Sequence, residues 1–360
     1  MKEGARAGWW GGGGAEVKIL VTGGTGFLGA HLVERLIAAG HSVRVITRSP
    51  ASFKHQGIEL LQGDLQDSQC LNRAVRSVEA LYHLAGLVSF NPADGRTMYQ
   101  LHVDGTRRLL EAAREAGVQR IILASTSGTI AVSKSDAVAS EEADYPIAVV
   151  GRWPYYLSKI YQEKLALRFC QEHSIPLVVL NPSLFLGPGD DRLSSAWIIS
   201  KFLNRDIPAM PSGGISFVDC RDAADAFAAA LTGGEVFGRH LMGVNMSFNE
   251  FFGRLSRLTG VAAPALRLPS QANVLGVSLL ERWSKLRGLD PPIDRHSVDI
   301  GEHFFYVDST KAERLLGFRA RDPQETLLDT VTYLMAKMPA DSLPGVKGKL
   351  RELRERPMSR

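Results

Sequence analysis

The chain has 360 residues, 45% of them hydrophobic, with 42 Lys plus Arg against 38 Asp plus Glu and a formal net charge of +4. That length allows one large domain or a domain with a smaller lobe, and so mild a charge argues against a nucleic-acid partner. No apolar run approaches the roughly 18 residues of a membrane-spanning helix. Cys70, Cys170 and Cys220 stand far apart, in neither a disulfide framework nor metal-ligand spacing, which predicts a reducing, cytoplasmic setting.

Residues 1–15 carry Trp9-Trp10 and a glycine run without the apolar stretch of a leader, and are expected to be disordered. A buried strand is read at 17–21. After it comes Val21-Thr22-Gly23-Gly24-Thr25-Gly26-Phe27-Leu28-Gly29, and then an amphipathic helix stopped at Gly40. Further strands are read at 43–48, 58–65, 80–86, 120–126 and 176–181, with helices at 68–78, 97–116 and 155–172. Strands alternating with helices predict an α/β fold with a doubly wound parallel sheet, a Rossmann domain over 16–182. Beyond Pro182 the pattern loosens, with loop signals at 187–190 and 210–214. Residues 183–338 read as a smaller substrate lobe, from which segment 215–232, a strand and a helix, is expected to return to the main sheet. Within the lobe, Leu275, Val277, Leu279, Leu280, Trp283 and Leu286 suit an apolar pocket or helix packing equally. The basic end, 339–360, with Arg351, Arg354, Arg356 and Arg360, reads as a solvated tail.

The glycine run carries the first chemistry. Strand, glycine turn and helix place a dinucleotide pyrophosphate on a helix N-terminus, where backbone N–H groups reach phosphate only if no side chain intrudes. Gly26 and Gly29 meet that requirement, and the flanking strand and helix raise the motif above a tight turn.

Tyr155-Tyr156-Leu157-Ser158-Lys159 opens a helix after Trp153-Pro154. Residues four apart share a helix face, so Tyr155 and Lys159 reach one cleft, whereas Tyr156 has no lysine at that spacing. A tyrosine with an ordinary pKa of about 10 is a poor base near neutrality. A nearby ammonium and the positive ring of an oxidised nicotinamide are expected to favour its phenolate.

Together these residues resemble the extended short-chain dehydrogenase/reductase family over roughly 17–334. The marks are the glycine run, Asp64-Leu65, Leu84-Ala85-Gly86, Ser125-Thr126-Ser127, Tyr155-x-x-Ser158-Lys159-x-x-x-Glu163 and Asn181-Pro182-Ser183-x-x-x-Gly187-Pro188-Gly189. The nearest branches resemble dihydroflavonol reductases, 3β-hydroxysteroid dehydrogenases and hopanoid-associated sugar epimerases. The resemblance implies Thr126, Tyr155 and Lys159 as catalytic residues, with Ser127 competing for the place of Thr126 as the hydroxyl that orients a substrate oxygen. It implies cofactor contacts from Gly23, Thr25, Gly26, Phe27, Leu28 and Gly29, then Asp64, Leu65, Leu84, Ala85 and Gly86. Tyr155, Lys159, Pro182, Ser183 and Leu184 complete the set.

Arg48 stands nineteen residues past Gly29, at the end of the second strand, with no carboxylate nearby. A cation there suits the 2′-phosphate of NADP, where an acid would accept the ribose hydroxyl of NAD; Lys54 adds to the charge. NADP(H) is therefore expected over NAD(H). Two departures from the family pattern stand out: His102 replaces an asparagine in Leu101-His102-Val103-Asp104-Gly105-Thr106, and the Val-Tyr-Gly of sugar-nucleotide enzymes is absent after Ser127. His296, Asp299, Glu302 and His303 lie in an expected loop and read as a solvated or substrate-lobe face, with no metal expected. Asp222 and Asp225 read as helix-capping and solvating residues. The expected function is NADP(H)-dependent reduction of a carbonyl, or oxidation of the matching alcohol, on a small and hydrophobic substrate, with a homodimer compatible with the resemblance. A nucleotide-sugar epimerase or dehydratase is the alternative; a regulatory protein binding NADP without turnover is a third.

Overall fold

In the computed structural model, residues 16–50, 57–266, 295–338, 345–346 and 348–350 are described. The strands are β1 (Lys18–Thr22), β2 (Ser42–Thr47), β3 (Ile58–Gln62), β4 (Ala80–His83), β5 (Arg120–Ala124), β6 (Leu177–Pro182), β7 (Leu184–Leu186), β8 (Gly214–Asp219), β9 (Arg239–Met242) and β10 (Val244–Ser247). The helices are α1 (Phe27–Ala38), α2 (Ser68–Ala74), α3 (Gly95–Tyr99), α4 (Gly105–Glu115), α5 (Ile147–Val150), α6 (Pro154–Glu172), α7 (Trp197–Leu203), α8 (Cys220–Ala229), α9 (Phe248–Thr259), α10 (Arg295–Gly301), α11 (Thr310–Leu316) and α12 (Pro323–Lys337).

Ile19 to Thr22 of β1 and all of β4 and β6 are buried, as strands covered on both faces must be. The main sheet runs β3-β2-β1-β4-β5-β6-β9, every pairing parallel. One face packs on α1 and α8 through Leu32, Leu36, Ala223 and Phe227. The other packs on α2, α4 and α6 through Leu71, Leu109, Leu110 and Cys170. Strand order reverses between β1 and β4, so a crevice opens beyond their C-terminal ends, the place where doubly wound sheets bind ligands. Asp67 caps α2 and Ser247 caps α9 through side-chain oxygens; Pro154 stands in the first turn of α6, where its missing N–H costs nothing.

Segment 215–232 corrects the sequence expectation in part. β8 does not enter the main sheet: it pairs with β7 in parallel and β10 in antiparallel fashion, forming a second, three-stranded sheet. The parallel place at the main sheet's edge goes to β9, beside β6. Helix α8 does return and packs on the α1 side. The second sheet packs with α7, α9 and α12 in a separate core that includes Phe202, Phe251, Phe252, Leu255 and Leu327. Every residue of β8, Ser216 and Asp219 included, is as buried there as it would be in the centre of the main sheet, which is why the strand pattern did not discriminate.

Other local readings also shift. The cap of α8 is Asp219, whose carboxylate accepts from the Arg221 N–H; Asp222 instead pairs with Arg321 and Asp225 with Arg35. Residues 295–301, expected as a loop, are helical. The three cysteines are buried free thiols. No helix among the described residues is long and apolar enough to cross a membrane. Residues 1–15, Lys54, the apolar run from Leu275 to Leu286, and the arginines of the tail lie outside the described residues.

Candidate active site

The glycine turn closes with the Gly26 N–H donating to the Gly23 carbonyl at 2.9 Å. Gly23 has φ +73°, and a Cβ there would stand 2.7 Å from the Ala85 nitrogen. Only glycine brings this turn so close to the loop after β4. Gly26 is the N-cap of α1 and offers no side-chain cap, so the first N–H groups of that helix face the crevice unclaimed by their own chain. That is the donor set a dinucleotide pyrophosphate requires, and these residues fit such a group. The Thr22 hydroxyl accepts from the Ala85 N–H at 3.3 Å, tying the end of β1 to Leu84-Ala85-Gly86. Asp64 accepts from the Gln66 N–H at 2.9 Å beside buried Leu65. Arg48 is exposed immediately after β2.

Phe27 begins α1 with its ring edge-on to Phe185, and His31 Nε2 lies 3.0 Å from the Pro188 carbonyl oxygen. These contacts hold the loop after β7 against the N-terminal half of α1, on the side where Pro182, Ser183 and Leu184 line a cavity.

Thr126, Ser127, Tyr155 and Tyr156 line that same cavity, of about 400 Å³. Tyr155 is the second residue of α6, and the T-shaped contact of its ring with Phe90 sets it in the wall. Burial pushes its phenol up to about 12, and a hydrogen bond from Thr126 opposes the rise. The expected lowering therefore does not appear in the chain by itself, because desolvation outweighs the favourable contact. Tyr156 is buried against Trp153 and Phe305. Ser127 accepts from the Ser183 hydroxyl at 3.2 Å.

Lys159 is buried one turn further along α6, its ammonium donating to the Ala124 carbonyl at 2.7 Å and to Gln162 Oε1 at 2.5 Å. Burial lowers it to about 8, with Glu163 acting in the opposite sense. Beneath it runs a closed polar network. Gln162 Nε2 donates to the Thr106 hydroxyl at 2.9 Å; Thr106 meets His83 Nε2 at 2.8 Å, and His83 Nδ1 meets the Thr22 hydroxyl at 2.8 Å. His83 is lowered to about 3, first by burial and then by Lys159.

A second network surrounds Glu163. Its carboxylate accepts from the Ser125 hydroxyl, from Asn181 Nδ2 at 2.9 Å, from Thr129 at 3.2 Å and from Tyr145 at 3.1 Å. These bonds fix the ends of β5 and β6 and the short helical turn 127–129 around Thr126. Gln162 and Glu163 stand in the sequence as neighbours of Lys159 three and four residues along one helix; their partners, brought from five other segments, were not legible there.

Above the site, Asp299 of α10 accepts from Arg152 at 2.8 Å and from Trp153 Nε1 at 3.0 Å, pinning the lobe to the start of α6. Glu302 accepts from Ser212, and His303 Nδ1 donates to the Asp299 carbonyl at 2.7 Å. The side chain of His296 lies outside the described residues.

The chain is similar to known proteins over most of its length. Residues 19–240 match the model of the NAD dependent epimerase/dehydratase family. A Synechocystis sp. protein provisionally named dihydroflavonol 4-reductase is 31% identical over 326 residues, covering 87% of this chain and 93% of its own. Sterol demethylase protein B of Methylococcus capsulatus is 28% identical over 330 residues, covering 87% and 97%. The crystal structure of gox2253 superposes with a TM-score of 0.77 at 29% identity, covering 89% of this chain and 98% of that one. The chain belongs to the NAD-dependent epimerase/dehydratase family, within the extended short-chain dehydrogenases/reductases, and is an NAD(P)-dependent oxidoreductase.

Proposed function

We propose that this oxidoreductase uses NADP(H) to reduce a carbonyl on a small, largely apolar organic molecule, through Thr126, Tyr155 and Lys159. The observation that carries the reading is the cavity itself. Aromatic and aliphatic side chains, among them Phe90, Trp197, Phe252 and Phe305, enclose a volume that opens on Thr126 and Tyr155. Such a wall recognises a hydrophobic body and leaves orientation to a few polar groups.

The nicotinamide coenzyme, when bound, supplies the hydride. Lys159 and Tyr155 would hold its ribose, and the N-terminus of α1 its pyrophosphate. A phenol pushed up to about 12 stays protonated at neutral pH, so Tyr155 is set to give its proton to the carbonyl oxygen. Thr126, in contact with that phenol, supplies the second hydrogen bond to the same oxygen. Its contact with Tyr155 supports Thr126 over Ser127, whose hydroxyl is engaged by Ser183. Arg48 supports NADP because its guanidinium would meet the 2′-phosphate.

Nucleotide-sugar epimerisation calls for cations converging on a diphosphate. Among the described residues, Lys201 is the only lysine or arginine that lines the cavity. Arg239 is committed to the carbonyls of Glu141 and Ala143, and Arg192 and Arg205 are exposed. A regulatory binder would not need a proton donor set in the wall of a substrate-sized cavity. The test is turnover of NADPH with a panel of aryl ketones. Consumption that disappears in Tyr155→Phe supports the reading, and a panel without turnover contradicts it.

A further inference from the structure

Buried hydroxyls in folded proteins nearly always have a hydrogen-bond partner. Ser216 is an exception: it is 2% exposed, and its Oγ has none. It stands on β8 in the wall of the cavity. Nor is it isolated. A Cβ on residue 243 would lie 2.3 Å from Ser216 Oγ and 2.5 Å from Ser183 Oγ, so the glycine there leaves room for the two hydroxyls side by side. Ser183 in turn donates to Ser127 at 3.2 Å, and Ser127 follows Thr126 in the chain. The serines thus form a polar strip in a largely apolar enclosure, starting beside the reacting centre and ending on a hydroxyl with unused capacity to donate and to accept.

We propose that Ser216, with Ser183 and Ser127 beside it, binds a second oxygen of the substrate, only a few bonds from the carbonyl held at Thr126 and Tyr155. The substrate class that follows is an oxygenated aromatic or alicyclic ketone, bearing a hydroxyl or a further carbonyl near the group that is reduced. This rests on the reductase reading and narrows it. A ketone without the second oxygen leaves Ser216 unpaired in the complex, and sites built around a buried hydrogen bond discriminate strongly against such analogues.

The experiment compares acetophenone with 2-hydroxyacetophenone as probes of the full chain with NADPH, in wild type and Ser216→Ala. The readout is the ratio of kcat/KM for the hydroxylated over the plain ketone, which cancels their intrinsic reactivities when the two proteins are compared. Ser216→Ala is expected to lower that ratio by about tenfold. Because the substitution breaks no existing hydrogen bond, the variant should unfold at or above the wild-type temperature. A ratio unchanged by the substitution, the result if Ser216 holds only an ordered water, overturns the inference and leaves the reductase reading standing. Failure of wild type to reduce either probe or any ketone of the panel overturns the reductase reading, and the inference falls with it.

Discussion

His102 Nδ1 lies 2.8 Å from the hydroxyl of Ser158, three residues beyond Tyr155 on α6. The other ring nitrogen of His102 accepts from the Leu87 N–H at 3.0 Å, which leaves the proton on Nδ1. Ser158 in turn donates its own proton to the Tyr155 carbonyl at 2.7 Å. The histidine sits in a π turn (Gln100–Asp104) between α3 and α4, and joins the loop after β4 to the second turn of α6. A residue that departs from the family pattern therefore spans the two segments expected to hold the cofactor and the catalytic tyrosine.

An acid-stability prediction follows from this pairing. His102 is held well below 6.5 by burial, with Lys159 and His83 adding to it, and His83 is lowered to about 3. Both stay neutral in the folded chain while the unfolded chain takes up protons below about 6.5. Stability is thus full above pH 6.5 and is lost as pH falls towards the folded values. Keeping His83 neutral should cost about 2 kcal/mol of stability between pH 7 and pH 5, and His102 lowers stability further in the same direction. Urea unfolding at the two pH values measures it, and equal stability at both would contradict the neutral assignment.

Tyr155→Phe should abolish turnover while leaving NADPH affinity within about threefold, since proton donation is lost but only one ribose contact goes with it. Stopped-flow assays and fluorescence titration separate the two effects. Wild-type activity in the variant would remove Tyr155 from the mechanism.

Gly29→Ala probes the pyrophosphate turn. A Cβ at this position would lie 2.2 Å from the Gly23 carbonyl oxygen and 2.6 Å from Gly24 Cα, both backbone atoms that have no room to yield. The turn must open, and coenzyme affinity should drop by about tenfold or more. Unaltered affinity by titration calorimetry would place the coenzyme elsewhere.

Arg48→Asp should weaken NADPH binding by about 2–4 kcal/mol, as a charge-assisted contact becomes a repulsion, with a smaller effect on NADH. Tighter binding of NADH than NADPH by wild type would contradict the cofactor assignment.

The alternating pattern of the first half made the parallel sheet legible. Strands such as β6 open on an unbroken apolar run, here Leu177, Val178, Val179 and Leu180, and turn residues mark where such runs end. The second sheet was not legible. Its strands are three to six residues long and are defined by partners far away in sequence, as when β8 meets β10. Asp219 shows the same limit: its partner Arg321 stands at 3.4 Å across the fold but far along the chain. At the site, Tyr155 and Lys159 could be paired by helical spacing alone. Their settings, the carbonyl of Ala124 for the ammonium and the ring of Phe90 for the phenol, exist only after β5 and α6 have packed.

The most direct test of the central claim is stoichiometry. Purified protein is mixed with a limiting aryl ketone and excess NADPH, and alcohol formed is compared with NADPH lost; UDP- and dTDP-sugars are assayed in parallel for epimers. A reductase releases oxidised coenzyme every cycle, so one NADPH should disappear for each alcohol formed, with no change in the sugars. Epimer formation without net loss of NADPH would contradict the account and establish the epimerase reading in its place.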